Sequence, residues 1–444
     1  MNMLKEIEKA VNLLKKQNIE KFDIFATISH GFSVEVKDKK VEKIKVPLKK
    51  GVAIRVIIDG KMGFAYTRDT SDDGIRIAIE CARDNASGSD PDEYEISMPA
   101  KPSIEFSLSD ENFKNISLER KIEIAKALEE KAYSLDSRVK KVRKASYSDS
   151  ITKVFYYNSN DHSFSYETTA YSLSIMVKAE DGSDSQMGWD FDAVRKFSNL
   201  NSDLVASRAV ENATLLLGAK PIKTQKIPVI FKNTVFAELI DALSAGFLGN
   251  NVLRKKSLFT NRLGFEIASH VLSIHDNPLT EDGMGSRPYD DEGTVTRKKA
   301  IIERGVLKNF LVDIYSARKL NLSPTGNGIR HGIESLPQSG ITNLVVEPGA
   351  LNLEQLIRTP EEVLVITDAM GIHTINPISG EFSIGVSGLL IKEGNIVQPV
   401  TGCTVAGNVK KLLQNISEVG RDSRWLGNIS SPSVLIKELM VGGE

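Results

Sequence analysis

Cysteine is nearly absent: Cys81 and Cys403 are the only two in 444 residues. Two distant thiols make no disulfide framework, so a reducing, cytoplasmic setting fits. An excess of one charge is missing too. Fifty-seven basic residues meet 58 acidic ones, for a net charge of −1. Generic binding of nucleic acid leaves a basic footprint, and the chain as a whole has none. The local basic runs Lys37–Lys50 and Arg138–Lys144 read as solvated strand faces. Long apolar runs are lacking as well. No stretch reaches the ~20 residues of a membrane span. Met1–Gln17 mixes lysine with glutamate and has no apolar centre of a signal peptide. The sequence therefore predicts a soluble, intracellular protein.

Chemical motifs are also scarce. There are six histidines: His30, His162, His270, His275, His331 and His373. Zinc hydrolases use imidazoles on one helix face with a third ligand and a carboxylate base. Only His270 and His275 are near neighbours, and His270–His275 reads as a strand. At that spacing the two rings point to opposite faces. No Gly-x-Ser-x-Gly elbow, Walker loop or Gly-x-Gly-x-x-Gly fingerprint occurs. Gly326-Asn327-Gly328 is flexible but has no following lysine, so nucleotide binding is not expected. Cys403 reads as a small buried residue, with no base beside it in sequence. No cofactor or metal is expected. The acidic loop from Asp282 through Asp290, Asp291 and Glu292 does not match calcium-loop spacing. It reads as solvated turns, or as a functional loop lining a cleft.

What is present is an ordinary globular pattern. Hydrophobic residues make up 41% and charged residues 26%. Leu4, Ile7, Val11 and Leu14 predict an opening amphipathic helix. Strands follow at Phe22–Ser29 and Val34–Val46, then a hairpin, Gly51–Ile58 and Met62–Tyr66, around Asp59-Gly60. Ser71 caps a helix through Ala86. Ser87–Pro102 reads as a linker. Ser117 caps a helix to about Tyr133, strands run from Val139 to Val177, and a helix covers Leu204–Leu217. The third section opens with the strand Ile227–Phe231 and the helix Thr234–Phe247. Hairpins at Ile301–Leu311 and Gly388–Val400, strands at Ile341–Val346 and Val363–Asp368, and a helix near Asn408–Ile416 complete it. The expected class is α+β: an N-terminal sheet-and-helix region over 1–220 and a larger, strand-rich, mixed-sheet domain over 221–444. The first region divides into sections at about 1–90 and 105–220, joined by a linker over 87–104.

Several segments, in shared order, resemble the TldD/PmbA family, once described as modulators of DNA gyrase. They include Gly51-Val-Ala-Ile-Arg55-Val, Arg287-Pro-Tyr-Asp290-Asp291-Glu292-Gly293, Asp313-Ile-Tyr-Ser-Ala-Arg318, Thr325-Gly326-Asn327, Glu347-Pro348-Gly349, Gly380-Glu381-Phe382-Ser383 and Ala406-Gly407-Asn408. The resemblance covers essentially the whole chain. It implies two branches: TldD-like members carry a His-Glu-x-x-x-His zinc helix, and PmbA- or TldE-like members lack it and pair with TldD. Here that place is held by Thr234–Gly249, which offers Glu238 and Asp241 and no histidine. Leu253-Arg254-Lys255-Lys256-Ser257-Leu258-Phe259 is also similar to the PmbA branch. No zinc ligand carries over.

The resemblance implies a non-catalytic subunit. It would dimerise with itself or with a zinc-bearing TldD-type partner and support proteolysis of peptides or unfolded proteins, including peptide maturation. Asn327, Arg330 and Glu381 are candidates for lining a peptide cleft, with strand addition a possible mode. An alternative is an independent hydrolase with an unconventional site among Asp290, Asp291, Glu292, His331, His373 and Cys403. A lesser alternative is a gyrase-associated regulator.

Overall fold

The computed structural model describes residues 3–102, 106–281 and 283–443. Residues 103 and 104 of the expected linker, and Asp282 of the acidic loop, lie outside the described residues. The class is α+β, as the sequence predicts.

Seven strands come first: β1 (Lys21–Lys37), β2 (Lys40–Lys45), β3 (Leu48–Ile58), β4 (Lys61–Thr67), β5 (Val139–Asn158), β6 (Ser163–Asp181) and β7 (Asp184–Val194). They form one antiparallel sheet, β4-β3-β1-β5-β6-β7, with β2 beside β1. The sheet passes through both N-terminal sections. Helices α1 (Leu4–Lys16) and α2 (Asp72–Ser87) pack at one end, and α3 (Leu118–Leu135) and α4 (Ser202–Thr214) at the other. Ser71, Ser117 and Asn201 cap α2, α3 and α4 by accepting backbone N–H bonds from Gly74, Arg120 and Leu204.

Several local expectations change. Val34–Val46 is not one strand but a hairpin, because Asp38 and Lys39 both adopt positive φ. That is a type I′ turn made without glycine, so it leaves no glycine signal. Ile7, Ala10, Val11 and Leu14 form the buried stripe of α1, whereas Leu4 is exposed and Met3 is buried in its place. The edge strand β7 and the strands after residue 416 escape the sequence reading. The segment read as a linker is anchored. Asn158 Nδ2 donates to the Ser97 carbonyl at 2.9 Å, Ser97 Oγ to the Glu292 carbonyl at 2.6 Å, and Tyr289 Oη to the Ala100 carbonyl at 2.8 Å.

The C-terminal unit starts with β8 (Gln225–Phe231), helix α5 (Asn233–Ser244), β9 (Ile274–Asp276), β10 (Lys299–Glu303) and β11 (Val306–Leu307). The short strands β12 (Gly328–Ile329), β13 (Gln338–Ser339) and β14 (Leu344–Val346) follow. The remainder is β15 (Glu362–Met370), β16 (Glu381–Lys392), β17 (Asn395–Asn408), β18 (Ile416–Val419), β19 (Arg424–Leu426), β20 (Ile429–Ser431) and β21 (Val434–Gly442). His270–His275 is therefore mostly a turn, and only Ile274–Asp276 is strand. Strands β17-β16-β15-β8-β21 close on themselves through the β17–β21 pairing, which makes a barrel. A second sheet runs β11-β10-β9-β14-β20-β19. Both sheets are mixed, since β8–β15 and β14–β20 pair in parallel. Helix α5 shares one apolar core with both sheets through Val235, Phe236, Leu239, Ile240 and Leu243.

Strand β7 touches α4 closely. A Cβ on Gly188 would lie 2.2 Å from the Ala209 carbonyl oxygen and 2.4 Å from the Ala213 nitrogen. Gly188→Val should therefore lower unfolding stability by about 1–3 kcal/mol through overpacking. Urea denaturation measures it, and an unchanged midpoint would contradict the close contact.

Candidate functional site

Helix α5 is apolar on the sides that meet the barrel and the second sheet. Its remaining stripe carries Thr234, Glu238 and Asp241, at helical spacings of four and three. Thr234 and Glu238 line a cleft of about 360 Å³, and Asp241 stands exposed beyond it. The opposite wall is strand β7, which contributes Met187, Trp189 and Asp190, with Asn212 and Leu216 beside it. The third wall is the end of β15. There Ile366 pairs with Gly388 and Asp368 with Ser387, so Thr367 is an extra, bulged residue. A bulge re-aims neighbouring side chains, and Thr367, Asp368 and Met370 all line the cleft.

The electrostatics are one-sided. Three carboxyls line this space, Asp190, Glu238 and Asp368, and among the described residues no lysine or arginine does, although Arg424 and Arg208 outside the lining both act on Asp190. Burial pushes Glu238 up to about 7, and the like charges of Asp368 and Asp241 add to it. Burial also raises Asp368. Asp190 is raised by burial against the opposing pull of Arg424. Arg424 Nη2 donates to Asp190 Oδ1 at 2.7 Å, while Asp190 Oδ2 has no hydrogen-bond partner. Glu238 can exchange a proton near neutrality, and the ionised carboxyls can attract an organic cation.

The acidic loop lies elsewhere. Asp290, Asp291 and Glu292 are buried, where solvated turns were one expectation. Arg55 of β3 donates through Nε to Asp23 Oδ2 at 2.7 Å and through Nη1 to Glu292 Oε1 at 3.0 Å. Burial opposes the Arg55 charge, but Asp23 and Glu292 outweigh it and raise its pKa. Glu292 Oε2 accepts the Ile314 N–H at 2.8 Å. Arg330 places its guanidinium over the Phe25 and Phe64 rings, at 5.2 and 5.7 Å, and its backbone N–H bonds Asp291 Oδ2 at 2.7 Å. Asp290 accepts backbone N–H groups from Glu292, Thr294 and Gly328. Asn327 joins an adjacent buried set, donating to Asp276 and accepting from Lys299. Of these groups, Arg55 through Glu292, and Arg330 through Asp23, Phe25 and Phe64, fasten the N-terminal sheet to the C-terminal unit.

The other candidates are dispersed. His331 is exposed on a loop, and His373 is exposed in the 3-10 turn Ile372–Thr374. Cys403 is buried on β17, and the Ile222 N–H points at its sulfur at 3.4 Å. Glu381 is exposed and accepts from Asn408 Nδ2 at 2.8 Å. Thus Asp291, Glu292 and Arg330 meet in one network, whereas Glu238 and Asp241 belong to the α5 cleft. Sequence reasoning missed Trp189, Asp190 and Asp368. The alternation of Met187, Trp189 and Phe191 was the available signal for β7.

Comparison with known proteins agrees along the length of the chain. The signature of the PmbA/TldA metallopeptidase C-terminal domain matches residues 224–443, that of the central domain 111–217, and that of domain 1 22–86. The metalloprotease PmbA of Escherichia coli O157:H7 is 29% identical over 93% of this chain and 90% of its own length. A metalloprotease TldD homolog of Haemophilus influenzae is 25% identical over 97% and 95%. A solved Thermotoga maritima structure, described as a modulator of a DNA gyrase, superposes with a TM-score of 0.92 at 29% identity, covering 99% of this chain and 100% of that one. A helix-backed sheet joined to a barrel unit, matched by three metallopeptidase domain signatures, defines a metallopeptidase-type scaffold. The chain belongs to the PmbA/TldD family.

The metalloprotease names of these relatives imply a metal. Zinc at a structural or catalytic site takes imidazole or thiolate donors in a compact set. Helix α5 has neither; His373 lies in the short 3-10 turn Ile372–Thr374 that packs against α5, and its side chain is exposed. Among the described residues, no group of three or more His, Cys, Asp or Glu is arranged to hold a metal ion. The donors at α5 do not fit zinc.

Two predictions follow from this geometry. Arg55→Leu should cost about 3–5 kcal/mol of stability, because Asp23 and Glu292 remain buried without their cation; equal denaturation midpoints would refute that. Glu238 binds its proton more tightly folded than unfolded, so its contribution is full below about 4.5 and lost as pH rises through about 7. Glu238→Gln should therefore gain stability relative to wild type between pH 5 and 8, measured by thermal unfolding. A constant difference across that range would contradict the shift.

Proposed function

We propose that this chain is a PmbA/TldE-like, non-catalytic subunit that works in the cytoplasm with a zinc-bearing, TldD-type partner. Together they act on peptides or unfolded proteins, in maturation and in degradation. The observation that carries the reading is helix α5. It occupies the position expected for a zinc helix, yet its cleft-facing acid is Glu238 and its sequence has no histidine. Without a Lewis acid to lower the pKa of a bound water, peptide hydrolysis needs the partner's chemistry. The relatives support the branch. The PmbA protein is 29% identical and the TldD homolog 25%. The scaffold would then contribute binding surface and help enclose the substrate.

The test mixes purified chain with a His-Glu-x-x-x-His family partner. The expected result is a co-eluting complex on sizing and higher peptidase activity than the partner alone. No complex, with identical activity, would overturn the proposal.

A further inference from the structure

The cleft between β7 and α5 has a ligand preference written into its walls. Its carboxyls come from three separate elements: Asp190 from β7, Glu238 from α5 and Asp368 from the β15 bulge. Among the described residues no lysine or arginine lines it, and the arginines outside the lining, Arg424 and Arg208, act on Asp190. The Asp190 side chain is 5% exposed, so it is held away from bulk water. Arg424 engages only its Oδ1, and Oδ2 is left without a partner. A buried carboxylate oxygen without a donor is costly, and a cationic donor entering the cleft offsets that cost. Beside these acids, Trp189 is 41% exposed and Met187 42%. An indole face attracts a cation and packs the methylene stem that carries it.

A metal ion fits poorly, since no three acids are arranged to ligate one among the described residues. Strand addition along β7 is also obstructed. The outward carbonyls of Trp189 and Phe191 already accept bonds from Asn212 Nδ2, at 3.1 Å, and Arg424 Nη2, at 3.0 Å. An entering chain would meet occupied acceptors there, so a side chain reaching between the walls suits the geometry better than a paired backbone.

We propose that the β7–α5 cleft receives a basic side chain, lysine or arginine, of an extended or unfolded peptide, held by Asp190, Glu238 and Asp368 and packed on Trp189. This rests on reading the chain as a peptide-handling subunit. It concerns the isolated chain, so it stands or falls apart from association with a partner.

The experiment is calorimetric titration of the full-length chain at pH 8 with short peptides, N-acetylated and C-amidated so that only a side chain bears charge. One peptide carries a central lysine and its twin carries norleucine. The lysine peptide should bind at least about tenfold more tightly. The double variant Glu238→Gln, Asp368→Asn should abolish that ratio by weakening the lysine peptide to the level of the norleucine one, with an unchanged circular-dichroism spectrum reporting an intact fold. Equal affinity for both peptides, or no binding of either, would overturn the proposal. So would an unacetylated norleucine peptide that binds as tightly as the lysine one, because the cation would then be a terminal amine. Sizing with the zinc-bearing partner is scored separately, so a failed peptide preference and a failed subunit reading remain distinct.

Discussion

Arg55 is the group on which the arrangement of the chain depends. Its guanidinium is shared between Asp23 on the N-terminal sheet and Glu292 in the C-terminal unit. Neither acid is solvated, so the three charges must stay together or the sheet must part from the unit beneath it. Arg330, stacked on Phe25 and Phe64 and bonded to Asp291, repeats the constraint next to it. With that junction fixed, β7 at the far edge of the sheet forms one wall of the α5 cleft. Trp189 and Asp190 are held opposite Glu238 by that junction together with the local bonds from Arg424 to Asp190 Oδ1 and the Phe191 carbonyl.

The same constraint separates two sets of acids that the sequence cannot rank. Asp290, Asp291 and Glu292 are spent on fixed donors: backbone N–H groups, Arg55 and Arg287. Burial raises the pKa of Asp290 and Glu292 inside that junction. Glu238 and Asp368 are raised chiefly by burial beside an open space instead, and the charge of Asp368 adds to the shift of Glu238. Raised carboxyls that face a cleft are available for a ligand, whereas raised carboxyls inside a junction are not.

Much of the fold was legible because it obeys local rules. Ser71 and Ser117 cap the helices they were expected to cap, and the glycine turns at Asp59-Gly60, Arg304-Gly305 and Glu393-Gly394 all adopt positive φ. The turn at Asp38-Lys39 was not legible, because its second left-handed position is held by a lysine where glycine is the usual residue. The candidate site was half legible. Glu238 could be named from one helix, but Asp368 depends on a bulge and Asp190 on the register of β7 against β6. Those are long-range facts that no local spacing encodes. The acidic loop was ambiguous for the same reason, since its partner Arg55 lies 237 residues away.

The central claim is that a protease-family scaffold is kept here without the donors for its metal. Elemental analysis of the chain purified without chelators, beside a peptidase assay, tests it most directly. The account predicts far less than about one zinc per chain and no peptidase activity that chelation removes. About one zinc per chain, with activity abolished by a chelator and restored by zinc, would contradict it.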